Sequence, residues 1–573
     1  MRTPLEPPGT RRSHPPGRED AEAGGRRVRD AIVDLPAPTV LYLGVTVLLT
    51  TVAGWLGWPI LRHRGGSVAL LVMALMLTLA VWRASRPPRS GHQTEGSWLL
   101  LVPSAGVIVA LLAAIVAGGV GQVEWFLNGD HPRHVVYVAD TWSQGALTYA
   151  EESYPRGWHS LLAALWSVFG AGFEPAAVDR LLRIMASASL LLSAVLALAL
   201  ANVGLALAGR LGLRRPATVV VGLVAASASL LNFSFANFQA LGYENSLVVG
   251  VVLATCGHEV VTRPATFRAV VVCAAGLVVT AHAWQLLLPA VGVAAVYCCW
   301  RFLRSGTDRA AVRVAAAALV SGVVALPGLV SVVTSVGLEH ATEAGPDNPV
   351  PVALLGAGVI SAVILSVRAR DGRCTVLSAA TLVPAGTALL VAVLLDVALT
   401  GYYPSKLLWH TAVMGLPWVA AALVLAARGL VQSVPASGPT VRVVGGTAVG
   451  LLVLYGLLMP WGAQLGVWST VDGDRVLSAV TSPGSPSAQV VWLQGSPTDD
   501  AVARSLLDVY RVAATRERVP QGRVSIDEEC SALTRAASPT ILSTAQADVA
   551  RSRYACEPDA VLLQVRPSGS STP

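Results

Sequence analysis

The densest group of titratable side chains lies in residues 120–181, between two apolar blocks of the chain. These residues include Glu124, Asp130, His131, Arg133, His134, Asp140, Glu151, Glu152, Arg156 and His159. Carboxylates and imidazoles held close together can perform acid–base catalysis or bind a metal ion. Asp130 and His134 stand four residues apart, so a helix that begins at Asp130 places both side chains on one face. The spacing therefore makes Asp130 the leading candidate for a catalytic residue.

A structural role for Asp130 is the alternative interpretation. Aspartate is common at the N-cap of a helix, and Asn128 and Gly129 would form the turn before it. A cap needs no cation or imidazole beside it, so the neighbouring Arg133 and His134 favour a functional role. Helices are predicted over two segments of this stretch, the second lying at the membrane interface: Val135–Trp142 and Leu161–Phe169.

Lys406 is the only lysine in a chain whose other basic side chains are all arginine. It lies in the stretch Gly401–His410, beside Tyr402 and Tyr403 and between two apolar blocks. An ammonium group is a compact donor for phosphate, whereas a lysine that snorkels to the membrane surface is the alternative. The two tyrosines and the nearby imidazole favour contact with phosphate.

Two further features lie on the same side of the predicted membrane domain. Aromatic side chains in Leu231–Glu244 either form an interfacial belt or stack against a sugar ring or a lipid chain. Six of the ten histidines lie at loops or helix ends: His131, His134, His159, His282, His340 and His410. Their spacing matches no metal-ligand motif, so a metal cluster is the less favoured interpretation.

The composition indicates an integral membrane protein that positions these residues. Of 573 residues, 54% are hydrophobic and 13% are charged, whereas soluble domains contain about 25% charged residues. The apolar residues form long uninterrupted blocks, and a helix needs about 20 such residues to cross a bilayer. These blocks suit helices, since barrel strands would be shorter and alternate with polar residues. No nucleic-acid-binding module is present.

Thirteen transmembrane helices are predicted. They lie near 39–60, 67–83, 98–119, 182–207, 217–232, 244–262, 268–281, 284–302, 314–336, 352–368, 375–399, 409–427 and 443–464. Arginines concentrate in alternate loops and in the basic segment 1–38, which favours a cytoplasmic N-terminus. Arg62 and Arg64 are the exception to this alternation. With an odd number of spans in a plasma membrane, residues 120–181 and the C-terminal tail are extracellular.

Three regions follow from this pattern. Residues 1–38 are rich in Pro, Gly and Arg, which predicts disorder. Residues 39–464 form the transmembrane region. Residues 465–573 predict a small extracellular α/β domain, in which a helix is expected over Thr498–Ala513. Its strands are expected at Ala488–Gln494, Arg523–Ile526, Thr540–Ser543 and Val561–Val565.

The tail contains two cysteines, Cys530 and Cys556, and the other five lie in or beside predicted spans. The outside of a cell is oxidising, so a disulfide between Cys530 and Cys556 is expected. A structural module is the favoured interpretation of this domain because it contains no catalytic constellation. A sugar-binding or partner-binding module is the alternative.

The arrangement resembles the GT-C superfamily of polytopic glycosyltransferases. The resemblance rests on Asp-x-x-x-His at Asp130–His134 and on Tyr-Pro-Arg-Gly-Trp-His at Tyr154–His159. This stretch is especially similar to an uncharacterised group of actinobacterial multi-pass proteins. Tyr402–Lys406 is similar to a late outer loop of arabinofuranosyltransferase-like members. Typical members have one span before the acidic loop, whereas three spans are predicted before it here.

The resemblance implies transfer of a sugar from a polyprenyl-phosphate donor to an envelope glycan, lipid or protein, with inversion. Asp130 would be the general base. Lys406, Arg156 and His134 would bind the donor phosphate, with Tyr402 and Tyr403 beside them. His134 or His159 would hold a divalent cation near the phosphate.

Two other function classes stay open. A transporter or flippase for lipid-linked sugars would place ionisable residues at the bilayer midplane and often shows internal repeats. The predicted span centres carry almost no charge, and no repeat is evident, which favours chemistry at the surface. A non-catalytic scaffold for envelope assembly is the third hypothesis, and the Asp130–His134 pair favours an enzyme over it.

Overall fold

The architecture is almost entirely helical, with one small sheet in the tail. The computed structural model describes residues 32, 34–85, 98–117, 130–148, 155–172, 175–232, 243–262, 265–335, 350–433, 473–480, 482, 484–494, 499–500, 502–504, 506–508 and 525–565. The helices before the tail are α1 Pro36–Trp55, α2 Arg64–Ser85, α3 Val102–Ala117, α4 His131–Gln144, α5 Gly157–Phe169, α6 Pro175–Arg210, α7 Arg215–Leu231, α8 Glu244–Thr262, α9 Phe267–Ala281, α10 Leu288–Leu303, α11 Ala310–Ser335, α12 Val352–Ala369, α13 Gly372–Leu395 and α14 Tyr402–Ser433.

The local sequence explains where several of these helices begin. Proline stands in the first turn of α1, α4, α7 and α10, where its missing N–H removes no helical hydrogen bond. Thr266 and Asp371 cap α9 and α13 by accepting hydrogen bonds from backbone N–H groups. Between their caps, the apolar blocks satisfy the hydrogen bonds of their own backbone, as a lipid environment requires.

Within the described residues, nine helices are long and apolar enough to cross a membrane: α1, α2, α6, α8, α10 with its preceding turn, α11, α12, α13 and α14. Leu319, Ile364 and Val393 face outward and are more than half exposed, as expected for a surface covered by lipid. The chain is therefore a helical membrane protein.

The predicted count of thirteen spans is not confirmed. Three apolar segments are helical but shorter than the nine spans, at Trp98–Val109, Arg215–Leu231 and Phe267–Ala281. The predicted span at 443–464 lies outside the described residues.

The two short helices of the stretch 120–181 pack inside the bundle. Helix α5 contacts α1, α2 and α4, and Leu162 and Trp166 are fully buried. The helix predicted at Leu161–Phe169 is therefore present, and neighbouring helices cover most of its surface. Its polar residues also have protein partners, since the hydroxyl of Ser160 accepts a hydrogen bond from Thr50. A helix with partners on both its apolar and polar sides need not lie at the lipid surface.

The described part of the tail is a small α/β layer. It contains α15 Gly473–Val480, β1 Val490–Trp492, α16 Ile526–Arg535, β2 Thr540–Ser543, α17 Ala547–Arg553 and β3 Val561–Gln564. The strands are parallel and lie in the order β1-β2-β3. Parallel neighbours need crossover connections, and α16 and α17 lie in the two crossovers. A disulfide joins Cys530 in α16 to Cys556 beyond α17.

One strand predicted in the tail is contradicted at residues 525 and 526, and its first two residues lie outside the described part of the chain. Ser525 is the N-cap of α16 and Ile526 is its first residue, where a strand was expected at Arg523–Ile526. Ser525 and Glu528 form a capping box, in which each side chain bonds the backbone N–H of the other residue. This pattern stabilises a helix start and outweighs the β propensity of the neighbouring apolar residues.

Helices α12 and α14 cross at a contact between two glycines. A Cβ atom placed on Gly358 would lie 3.1 Å from the Cα atom of Gly415, and one on Gly415 would lie 3.0 Å from that of Gly358. Small residues allow two membrane helices to approach closely. This contact fixes the position of α14, which begins with Tyr402.

We expect Gly358→Leu to destabilise the protein because the added side chain would push α14 away from α12. Overpacking of this kind costs about 1–3 kcal/mol. Thermal unfolding of the detergent-solubilised protein measures the effect. Gly356→Leu on the same helix is the matched control, since nothing lies within 4 Å of a Cβ placed there. Equal unfolding midpoints for the two variants would contradict the importance of this crossing.

Candidate functional site

Asp130 is the N-cap residue of α4, and its backbone carbonyl oxygen accepts a hydrogen bond from the N–H of His134. The helix has Pro132 in its first turn and is followed by Gly145, whose backbone is left-handed. The Asp130 side chain makes no capping hydrogen bond. Its Oδ2 atom instead accepts a hydrogen bond of 2.7 Å from the hydroxyl of Tyr402, the first residue of α14. Asp130 therefore occupies the N-cap position, as the structural interpretation expected, but its carboxylate bonds α14 and not the backbone of α4.

Lys406 lies one turn along α14 from Tyr402 and faces the same carboxylate. Its Nζ atom is 3.6 Å from Oδ2 of Asp130 and donates a hydrogen bond to the Tyr402 hydroxyl. The ammonium also lies 3.7 Å from the ring centroids of both Tyr243 and Tyr402, a favourable cation–π geometry. The lysine is buried and does not extend into water as a snorkelling lysine would.

Asp130 is ionised at neutral pH. Burial alone would raise its pKa, but the Lys406 ammonium, His134, the Tyr402 hydroxyl and the Arg133 guanidinium together hold the pKa below its ordinary value. Opposite charges and donated hydrogen bonds favour the carboxylate form. The site therefore presents a carboxylate anion in the ordinary working range of pH.

The two oxygens of Asp130 have different surroundings. Tyr402 and Lys406 both contact Oδ2, and within the described part of the chain no contact uses Oδ1. The side chain is 22% exposed. Contacts with α14 therefore hold the carboxylate in place through one of its two oxygens.

Arg133 is a component of the site that the sequence did not single out for phosphate. Its guanidinium is close enough to lower the pKa of Asp130. It is half-buried, and among the described residues no carboxylate lies within ion-pair distance of it. The charges of two cations, Arg133 and Lys406, thus act on the carboxylate of Asp130. Cations at such a site can attract an anionic ligand.

Arg156, expected to bind the donor phosphate, has a protein partner instead. It forms an ion pair with Asp140 of α4, and its guanidinium lies 5.6 Å from the ring centroid of Tyr137. Arg156 is 3% exposed, and Asp140 also accepts a hydrogen bond of 3.1 Å from Gln144. Asp140 therefore neutralises the charge of Arg156, and this ion pair joins the residues just before α5 to α4.

His134 and His159 form a buried pair. Nδ1 of His134 lies 2.7 Å from Nε2 of His159, and the edge of the Tyr137 ring faces His159. Burial lowers the pKa of both imidazoles, so both are neutral at pH 7. A neutral imidazole has one donor and one acceptor nitrogen, which fits a single hydrogen bond between the rings.

This geometry does not fit a metal ion shared by the two facing nitrogens. Two ligands at metal–nitrogen distances of about 2.0–2.1 Å in a tetrahedral site lie about 3.3 Å apart, farther than the 2.7 Å found here. Among the described residues, no group of three His, Cys, Asp or Glu side chains is arranged to hold a metal ion.

Other candidate residues lie around this centre. The Tyr403 ring meets the Tyr402 ring edge to face, with centroids 5.3 Å apart. His282 follows α9, where its Nε2 atom lies 2.7 Å from the carbonyl oxygen of Val324, so it joins α9 to α11. Candidate residues that fall outside the described part of the chain are Glu124, Glu151, Glu152 and His340.

Sequence reasoning gave no role to Glu244, which is fully buried beside the site. Its Oε1 atom lies 3.3 Å from Nδ1 of His131, and its Oε2 atom accepts a hydrogen bond of 2.8 Å from the Trp158 indole. A glutamate at the predicted start of an apolar span was a signal in the sequence, because charged residues are rare there.

The comparisons with known proteins do not assign this site. No protein-family model matches the chain, and no curated protein matches its sequence.

We expect the stability contributed by Asp130 to depend on pH. Its pKa in the folded protein is below the unfolded value of about 3.9, so this stability is fully present above that pH and is lost as the pH falls through the folded pKa. Asp130→Asn should therefore lower the unfolding midpoint at pH 7, by an amount equivalent to about 1–3 kcal/mol. The deficit should shrink as the pH falls below about 4.

Unfolding midpoints in detergent at several pH values measure this difference. Asp308→Asn, at an exposed position in the loop before α11, controls for the loss of one carboxylate. A deficit for Asp130→Asn that stays constant with pH would contradict the ionised, paired state of Asp130.

Proposed function

We propose that the chain is a GT-C-like membrane glycosyltransferase. It moves a sugar from a polyprenyl-phosphate donor to an envelope glycan, lipid or protein at the outer face of the plasma membrane. The observation that carries the proposal is the convergence of Asp130, before α4, with Tyr402 and Lys406 at the start of α14. A fixed carboxylate beside a cation is the arrangement that base-assisted displacement of a phosphate requires.

The proposed reaction is a single displacement with inversion. The acceptor hydroxyl oxygen attacks the anomeric carbon of the sugar, and Oδ1 of Asp130 takes the hydroxyl proton. The bond between the anomeric carbon and the phosphate oxygen breaks, and its electron pair leaves with polyprenyl phosphate. Tyr402 holds Oδ2 at 2.7 Å, which keeps the carboxylate oriented without occupying the oxygen that accepts the proton.

The departing phosphate gains negative charge, which nearby cations stabilise. We assign this role to Lys406, whose Nζ atom lies 3.6 Å from Oδ2 of Asp130, and to Arg133, whose charge lowers the pKa of Asp130. Arg156 is assigned a positioning role because its guanidinium pairs with Asp140. Donor binding through fixed cations stabilises developing charge without reorganisation of solvent.

The proposed mechanism assigns no step to a divalent cation. Lys406 and Arg133 provide the positive charge that the resemblance gave to a cation at His134 or His159. His134 and His159 instead join α4 to α5 through their shared hydrogen bond. A bound cation stays a prediction.

We propose that the site faces outward, in a topology of thirteen spans with a cytoplasmic N-terminus and an extracellular tail. The alternation of arginine-rich loops supports this orientation. The disulfide between Cys530 and Cys556 also supports it, since disulfides persist in oxidising compartments. A lipid donor accounts for the many apolar helices, because its prenyl chain stays in the bilayer while its phosphate meets the protein.

We expect wild-type protein in lipid vesicles to release polyprenyl phosphate from one member of a panel of radiolabelled polyprenyl-phosphate sugars. Asp130→Asn should lower transfer at least about 100-fold, because general-base catalysis contributes about 10²–10⁴-fold. The variant should remain folded and inserted. Near-normal turnover by Asp130→Asn would exclude Asp130 as the base. Wild-type protein that binds or moves the donor across the bilayer without turnover would favour a flippase.

We expect Lys406→Ala and Arg133→Gln each to raise the KM for the donor about tenfold or more, since a charge-assisted hydrogen bond contributes about 1.5–3 kcal/mol. The KM for the acceptor should change less than about twofold, because neither cation contacts it. Initial rates with one substrate saturating give both constants. Arg156→Gln is the comparison variant and should reduce stability without a donor-specific effect. Equal effects of Lys406→Ala on donor and acceptor would remove its phosphate role.

A further inference from the structure

Three consecutive residues at the start of α8, Glu244, Asn245 and Ser246, contact three separate elements of the site. We call them the α8 clasp. Glu244 holds the first residue of α4 and the second residue of α5, since it faces His131 at 3.3 Å and accepts a hydrogen bond from Trp158. One carboxylate therefore joins the two helices that carry the titratable side chains of the site.

The next two residues of the α8 clasp extend these contacts. The Asn245 amide donates a hydrogen bond of 3.3 Å to the carbonyl oxygen of Pro155, just before α5. The Ser246 carbonyl oxygen lies 3.0 Å from Nε2 of His410, whose Nδ1 atom lies 2.7 Å from the carbonyl oxygen of Lys406. His410 thus connects the α8 clasp to the turn of α14 that carries Lys406.

Glu244 and His131 are buried, so few other groups can replace their contacts. The side chains of Glu244 and His131 are both 0% exposed, and a buried carboxylate is stable only with its partners in place. His131 follows Asp130 directly in the chain, so a displacement of the His131 backbone moves the Asp130 backbone as well. Any change in the Glu244 contacts should therefore change the distance between Asp130 and Lys406.

We propose that Glu244 is a positioning residue that holds Asp130 at working distance from Lys406 and Tyr402 through its contacts with His131 and Trp158. The effect of Glu244 on catalysis rests on the proposed function, in which Asp130 is the base. Glu244 touches neither the sugar nor the phosphate in this proposal. Its effect is on the geometry of the reacting groups, where a displacement of about 1 Å can cost about 100-fold in rate.

Three single variants test this role. Glu244→Gln keeps an oxygen that can accept the Trp158 hydrogen bond but replaces the carboxylate that faces His131 with an amide. Glu244→Asp restores a carboxylate on a shorter side chain. Glu259→Gln is the matched control, because Glu259 is also a buried carboxylate of α8 and pairs with Arg268 at 3.5 Å.

The first readout is turnover with the donor sugar that the vesicle assay identifies. Glu244→Gln should lower kcat about tenfold or more and leave the KM for the donor within about twofold, because Lys406 and Arg133 remain. Glu244→Asp should recover part of the lost kcat. Glu259→Gln should keep a kcat near that of the wild type even if it lowers the unfolding midpoint as much as Glu244→Gln does.

The second readout needs no turnover. Cysteines introduced by Asp130→Cys and Lys406→Cys are cross-linked with bis-methanethiosulfonate reagents of increasing length, with each single cysteine variant as a control. With Glu244 intact, one reagent length should give most of the cross-linked protein, and adding Glu259→Gln should not change this. Adding Glu244→Gln should lower the cross-linked fraction at that length and allow a wider range of reagent lengths to react.

The outcomes separate the two proposals. Cross-linking and kcat that respond to Glu244→Gln no more than to Glu259→Gln would overturn the positioning role. A wild-type protein without turnover on any donor would count against the proposed function, and the cross-linking pattern alone would then decide whether Glu244 sets the separation of residues 130 and 406.

Discussion

The ion pair between Asp130 and Lys406 is the constraint on which the arrangement of this end of the bundle depends. Neither charge is stable alone in a medium of low dielectric constant, so each requires the other nearby. The start of α4 must therefore meet the start of α14 although the two are far apart in the sequence. Two further contacts hold α14 in the bundle. Gly415 of α14 meets Gly358 of α12, and His410 of α14 meets the carbonyl oxygen of Ser246 in the α8 clasp.

The sequence was informative about the fold where the controlling interactions are local. Apolar blocks satisfy their own backbone, so long helices followed from the lengths of those blocks, and shorter apolar runs predicted the α/β character of the tail. The number of spans was harder to predict because it depends on where helices end. Ser525 shows the same limit at short range, since its bond to Glu528 outweighs the β propensity of Ile526.

The members of the site were predictable, but their partners were not. Asp130, Tyr402 and Lys406 were evident because ionisable residues are unusual in so apolar a chain. Arg156 and Arg133 are the same residue type at a similar distance from apolar blocks, and only the folded chain distinguishes them. Arg156 meets Asp140, whereas the charge of Arg133 acts on the carboxylate of Asp130. Helix packing decides which charges pair, and local sequence patterns do not predict that packing.

The enclosure of Lys406 between two tyrosine rings has a consequence for the speed of binding. An ammonium group is a single charged centre that can exchange partners by rotation about the bonds of its side chain, whereas a guanidinium needs a partner in its plane. The rings of Tyr243 and Tyr402, each 3.7 Å away, stabilise the cation throughout that exchange. For the donor phosphate of the proposed function, this predicts capture by rotation of the Lys406 side chain, without a preceding movement of α14.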